Sequence, residues 1–151
     1  MSGGLRLEQI WDKILNIRSQ NVILDCDIAE LYGVETRDIN KAVRNNPDKF
    51  PDGYILELQA TEKQQVVENF HHLEKLKFSP VAPKAFTEKG LYMLATILKS
   101  KQAAETTIDI IETFAKMREL SRTVATLPDE TNEDMQKTLM RESVVGRTWQ
   151  V

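Results

Sequence analysis

The sequence predicts an α+β fold that is mostly helical, with a helix-turn-helix, small β-hairpins of a winged-helix-like kind and a C-terminal helical extension. Apolar residues recur at helical spacing on both sides of Gly33. Short apolar runs at 16–24, 54–58 and 84–86 are bounded by turn-forming residues, as strands are. From residue 88 onward the apolar residues return to helical spacing, which predicts the extension.

The composition is that of a soluble globular protein. The chain has 151 residues, of which 41% are hydrophobic and 28% charged, enough for one domain with an extension. The single cysteine, Cys26, excludes an internal disulfide, and its flanking aspartates favour a packing role over a nucleophilic one. No apolar run has the length of a membrane span or a signal peptide, so we expect no membrane association and a cytoplasmic protein, associated with the nucleoid when DNA-bound.

The net charge opposes nucleic-acid binding. It is −3 at pH 7, whereas a DNA-binding domain is usually basic. Basic residues are enriched only at 35–49, where the sum is +1, and at 75–89, where four lysines stand against Glu88. Any affinity for DNA is therefore expected to be moderate and sensitive to salt.

The first elements lead up to the predicted motif. Residues 1–9 are expected to be a flexible start, followed by a short helix that runs into a strand. Residues 16–24 predict a hairpin with its turn near 19–21. Asp25 or Asp27 is expected to cap the next helix.

The stretch 25–46 predicts two short helices joined by a tight turn. Ile28, Ala29 and Tyr32 form an apolar face, and Gly33 ends the first helix in a left-handed conformation that glycine adopts at little cost. We expect Thr36 to cap the second helix, whose buried face carries Ile39. This spacing of small residue, glycine and apolar residue is typical of a helix-turn-helix.

The outer face of the second helix is the candidate DNA-binding site. Arginine and asparagine make paired hydrogen bonds to base edges, while lysine suits phosphate. The alternative is an αα-hairpin whose outer face is merely solvated. The candidate residues are Thr36, Arg37, Asn40, Lys41, Arg44 and Asn45.

Beyond the motif, residues 47–53 form a loop by composition, which Phe50 is expected to anchor on the core. The strand at 54–58 precedes a helix that we expect to start with a capping box at 61–64. Residues 73–83 are expected to be irregular, and 84–86 to form a strand paired with 54–58.

Two strands joined through a lysine-bearing excursion, beside a helix-turn-helix, would form a wing. Lys75, Lys77 and Lys84 are its candidate phosphate contacts, and a solvated loop is the alternative. The adjacent His71 and His72 point in different directions on a helix, so we expect no metal site.

The C-terminal part predicts two further helices and a tail. Thr87 caps an apolar helix, and Ser100 caps a longer one that runs to about Arg122. The longer helix has two apolar rows, wide enough to pack on the domain and also to meet a partner chain. Residues 123–151 are expected to be an acidic linker with a short helical tail. We expect any homodimer to form through 104–120 and 135–140.

These residues together resemble the phage-derived KilA-N class of DNA-binding domains, and most closely its branch named from "ORF six N-terminal". The similarity covers about Ile10 to Leu120, and residues 10–122 would be the KilA-N-like domain. It implies sequence-specific binding of double-stranded DNA by a bacterial regulatory or antirepressor protein, and no catalysis. The segments that carry it are 17–20, 22, 24–25, 27–34, 39–40, 50–51, 85–90, 93–94, 98–100 and 110–114.

Two functions remain open from the sequence. The first is a DNA-binding module, and the second is an antirepressor-type module that binds a repressor protein rather than DNA. An enzyme is not expected, because the chain has no glycine-rich phosphate loop, metal-ligand cluster or nucleophile spaced with a histidine. We expect neither a cofactor nor a metal.

Overall fold

Six α-helices and four short strands make up the part of the chain, residues 3–124, that the computed structural model describes. The helices are α1 (Gly3–Lys13), α2 (Asp25–Tyr32), α3 (Thr36–Asn45), α4 (Ala60–Asn69), α5 (Glu88–Ala95) and α6 (Lys101–Val124). The strands are β1 (Leu15–Ile17), β2 (Gln20–Leu24), β3 (Ile55–Glu57) and β4 (Lys84–Thr87). Single 3-10 segments lie at Pro47–Lys49 and His71–Leu76. The predicted α+β class, mostly helical with a C-terminal helix, is confirmed.

The four strands form one antiparallel sheet in the order β1-β2-β4-β3. The predicted pairing of β3 with β4 is confirmed, with Leu56 opposite Ala85. These two strands are not a wing, however, because α4 and a 3-10 segment lie between them and β4 also pairs with β2. The reason is the apolar character of β4, whose Ala85 and Phe86 are fully buried and therefore suit a central strand.

The chain divides into two compact units. Residues 14–103 form one, and residues 3–13 with 104–124 are the described part of the other. In the first unit, alternate residues of β1 and β2 pack with β4 against Val66 of α4 and the buried Leu73. Phe50 meets Phe86 edge-on, with ring centroids 6.3 Å apart, so it anchors its loop as predicted. In the second unit Leu7, Trp11 and Leu120 pack together.

The chain start and the first hairpin differ from expectation. Residues 3–9 belong to α1 rather than to a flexible start, because Leu7 and Ile10 supply it with a buried apolar face. The hairpin turn is at Arg18 and Ser19, with φ angles of +52° and +65°, one residue earlier than predicted. Two consecutive residues with positive φ are typical of a tight two-residue turn.

Three predicted helix caps lie elsewhere, whereas Thr87 and Ser100 cap α5 and α6 as predicted. Leu24 precedes α2, so neither Asp25 nor Asp27 is its N-cap. Glu35, not Thr36, caps α3, and its N–H donates to Asp38 Oδ2 at 3.1 Å. Gln59 caps α4 two residues before the predicted box, and its N–H donates to a carboxylate oxygen of Glu62 at 2.8 Å.

Two predictions extend beyond the described part of the chain. Residues 125–151, which hold most of the predicted tail and the 135–140 segment, lie outside the described residues. Within residues 3–124, no helix combines the length and apolar character that crossing a membrane requires. The boundaries of the predicted domain at 10–122 remain predictions.

Candidate nucleic-acid interface

Helices α2 and α3 pack against each other across a tight turn at Gly33. This glycine has φ +73° and ψ +32°, the left-handed conformation predicted for it. The chain reverses at once, because the N–H of Val34 donates to the carbonyl of Ala29 at 2.9 Å. Ala29 and Ile39 are both buried, so each helix turns its small or apolar face inward. The two helices therefore have the connectivity and packing expected of a helix-turn-helix.

The opposite side of α3 is polar and open to solvent. Lys41, Arg44 and Asn45 are exposed, and no hydrogen bond or ion pair joins their side chains to another described residue. Arg37 is 83% exposed and its Nε lies 2.6 Å from Glu35 Oε2. An ion pair this exposed adds little stability and costs little to break. We call Arg37, Lys41, Arg44 and Asn45 the outer face of α3.

Asn40 is not part of this outer face. Its half-buried amide Nδ2 donates to Asp25 Oδ2 and to the carbonyl of Thr36, both at 3.2 Å. Its Oδ1 is buried and accepts no hydrogen bond from the described residues. Thr36 is half-buried in the first turn of α3. Of the six predicted contacts, the structure thus exposes four together and turns Asn40 toward α2.

Two buried carboxylates at the start of α2 connect the motif to its surroundings. Asp25 accepts the Cys26 N–H at 2.8 Å as well as the Asn40 amide. Asp27 is fully buried, and its Oδ2 lies 3.1 Å from Nε2 of His72 in the 3-10 segment. Sequence reasoning assigned these aspartates to a cap and missed both contacts. The only signal was their position in an otherwise apolar stretch.

The two histidines bind different partners. Nδ1 of His71 lies 3.3 Å from a carboxylate oxygen of Glu74, whereas His72 contacts Asp27. Among the described residues, no three His, Cys, Asp or Glu side chains come together as a metal site would require. Burial, followed by the negative charges of Asp27 and Asp25, raises the pKa of the Cys26 thiol to about 11. The thiol is therefore protonated and unreactive near neutral pH.

The predicted wing residues lie along the segment between α4 and β4. Lys75 and Lys77 are exposed, while Lys84 is half-buried within β4. Phe78, which lies between Lys77 and Lys84 in the chain, is 87% exposed. The sequence did not predict this exposed aromatic residue. In the same turn as Phe78, Lys63 Nζ donates to the carbonyl of Ser79. A cavity of about 640 Å³ beside α4 is lined by lysines and glutamates together, so it favours no one charge.

The compact unit formed by residues 14–103 has no net charge. Residues 14–103 contain twelve lysines and arginines and twelve aspartates and glutamates. Since Asp25 and Asp27 are buried, the surface of the unit is more basic than this balance indicates. The outer face of α3 itself carries three cations.

Comparison with known proteins identifies a protein family whose model matches most of the described chain. A family model described as the ORF6N domain matches residues 12–97, which include the whole sheet, the α2–α3 pair and α5. No curated protein and no solved structure matches the chain.

Proposed function

Because the chain belongs to the ORF6N domain family, we propose that this phage-type regulatory domain binds double-stranded DNA through the outer face of α3. The observation that carries the proposal is the set of exposed polar side chains on α3, three of which make no hydrogen bond or ion pair with another described residue. Helix α3 has ten residues and is therefore about 15 Å long. A helix is about 10–12 Å in diameter with its side chains, so it would fit a major groove about 12 Å wide.

The contacts follow from side-chain chemistry. Arg37 and Arg44 would face base edges, where a guanidinium pairs with two acceptors of guanine. Lys41 and Asn45 would face phosphates and set the register. Asn40 would not contact DNA directly, because its amide already donates a hydrogen bond to Asp25. It would instead hold α3 in position against α2. Thr36 is half-buried at the start of the helix and would approach only the backbone.

Lysines of the α4–β4 segment would add contacts that carry no sequence information. Lys75 and Lys77 are exposed. Glu74 directly precedes Lys75, and no acidic residue follows in the sequence until Glu88. Since residues 14–103 have no net charge, few phosphates would be neutralised. We therefore expect moderate affinity that falls as salt is added, with a shallow slope of about one for each phosphate neutralised.

Selection of bound oligonucleotides from a random pool, at two salt concentrations, tests the proposal. The enriched sequence is then titrated with Arg44→Ala and Lys41→Ala, and with Lys99→Ala as a control lysine outside α3. Arg44→Ala should cost about 1–3 kcal/mol and relax the preference at one position. Lys41→Ala should weaken all sequences alike and lower the salt slope by about one. No enrichment, with no binding at low salt, would refute DNA binding.

A second function is favoured by different observations. The unit has no net charge, and Phe78 and Val81 are exposed apolar residues on one short segment. Such residues suit a contact with another protein, for example a repressor that the domain would displace. A stable complex with a repressor in gel filtration, together with no affinity for DNA at low salt, would favour this function.

A further inference from the structure

Helix α6 has an apolar stripe that faces solvent. Ala104, Ile108, Ile111 and Ala115 follow one another at steps of four, three and four residues, so they lie on one side of the helix. All four are exposed, Ile108 by 55% and Ile111 by 37%. On the opposite side, Ile110 and Phe114 are buried. The helix thus has a second apolar surface, which no described residue covers.

This stripe is self-complementary when the helix is reversed. Alanine stands at both ends and isoleucine at both inner positions, so the order and spacing are the same in either direction. We propose that two copies of the chain pair through this stripe as an antiparallel two-fold dimer. The axis passes midway between Ile108 and Ile111, which places Ala104 opposite the partner's Ala115. Alanine at both ends lets the two helices approach closely.

The charges beside the stripe select the antiparallel arrangement. Lys101, Glu105, Lys116 and Glu119 lie along one edge of it. In the proposed register Lys101 faces the partner's Glu119, and Glu105 faces the partner's Lys116, so four pairs of opposite charge would form. They would lie beside the partly exposed Lys116–Glu119 ion pair of each helix, whose Nζ and Oε2 lie 3.7 Å apart. A parallel two-fold pair would turn this edge toward the other edge of the partner helix, where Thr107 and Arg118 lie, so these four pairs would not form. Glu112 lies on the same edge nearer the axis and approaches the partner's Glu105, a like-charge contact that offsets part of the attraction of the four pairs.

Analytical ultracentrifugation of the full chain tests whether the dimer forms. The wild type should approach twice the chain mass of 17.3 kDa as concentration rises. Ile108→Glu should weaken the dimer by more than about 30-fold, since the axis brings two added carboxylates together. Val81→Glu is the control, because it adds the same charge to another exposed apolar residue. A wild type that stays monomeric, or equal loss in both variants, would overturn the proposal.

Cysteine cross-linking tests the orientation independently of any folding defect in Ile108→Glu. Ala104→Cys and Ala115→Cys are made in a Cys26→Ala background and oxidised separately and as a mixture. The mixture should form a covalent dimer, and each variant alone should not. A covalent dimer from Ala104→Cys alone would show a parallel pair and overturn the proposal, as would a mixture that stays monomeric. This dimer does not depend on what α3 binds.

Discussion

Replacing Asn40 by aspartate should separate the two helices of the motif. Asn40 Nδ2 lies 3.2 Å from Oδ2 of Asp25, a residue that is only 6% exposed. The aspartate would put a second carboxylate oxygen at that distance. Two unit charges so placed repel by about 5 kcal/mol at an effective dielectric constant of 20. Side-chain rotation relieves part of this repulsion, so we expect the free energy of unfolding to fall by about 3–5 kcal/mol.

Urea denaturation measures this change as a shift in midpoint at constant slope. Asn40→Ala is the first control, because it removes a hydrogen bond to a charged acceptor, worth about 1.5–3 kcal/mol, without adding a charge. The double variant Asp25→Asn with Asn40→Asp is the second. It keeps the net charge and reverses donor and acceptor, so it should recover much of the lost stability.

The same variants distinguish the two roles of Asn40. If its amide positions α3, stability and DNA affinity fall together, and both return in the double variant. If Asn40→Ala unfolds at the wild-type urea concentration yet loses preference at one base position, the amide contacts a base. That result would refute the positioning role and restore the contact predicted from sequence.

Three further predictions concern single residues. Arg18 holds the pKa of Glu62 at about 2, against an ordinary 4.5; Glu62→Gln should therefore lower the melting temperature above about pH 4.5, and the difference from wild type should vanish as pH falls toward 2. Gly90→Ala should destabilise the domain by about 1–3 kcal/mol in urea, since its Cβ would lie 2.4 Å from the carbonyl oxygen of Tyr54; an unchanged midpoint would contradict this close approach. Cys26 should react slowly with a thiol reagent at pH 8 and faster as pH rises toward 11; fast reaction at pH 8 would show that the thiol is neither buried nor flanked by charge.

The sequence predicted the parts of the fold that are decided locally. Gly33 ends α2 because the left-handed conformation favours glycine, and Ile39 is buried because apolar spacing defines a helix face. The pairing of β3 with β4 followed from two short apolar strands. Caps were less predictable, since Gln59 is a weaker capping signal than the nearby Thr61.

The remaining features depend on contacts between distant residues. Asn40 carries the side chain expected of a base contact, and only its packing beside Asp25 shows that the amide is engaged. Asp27 and His72 are 45 residues apart in the chain. Periodicity assigns a residue to a face of its helix, but it does not identify the neighbour that the face meets. The order of strands in the sheet was unpredictable for the same reason.

The position of β4 has a consequence for synthesis on the ribosome. The α2–α3 pair is encoded between β2 and β3, and β4 is the strand that hydrogen-bonds to both. Until residues 84–87 have left the exit tunnel, the two ends of the loop that contains α2 and α3 have no common strand to hold them. A nascent chain should therefore fix the position of the α2–α3 pair late, after most of the domain has already been translated.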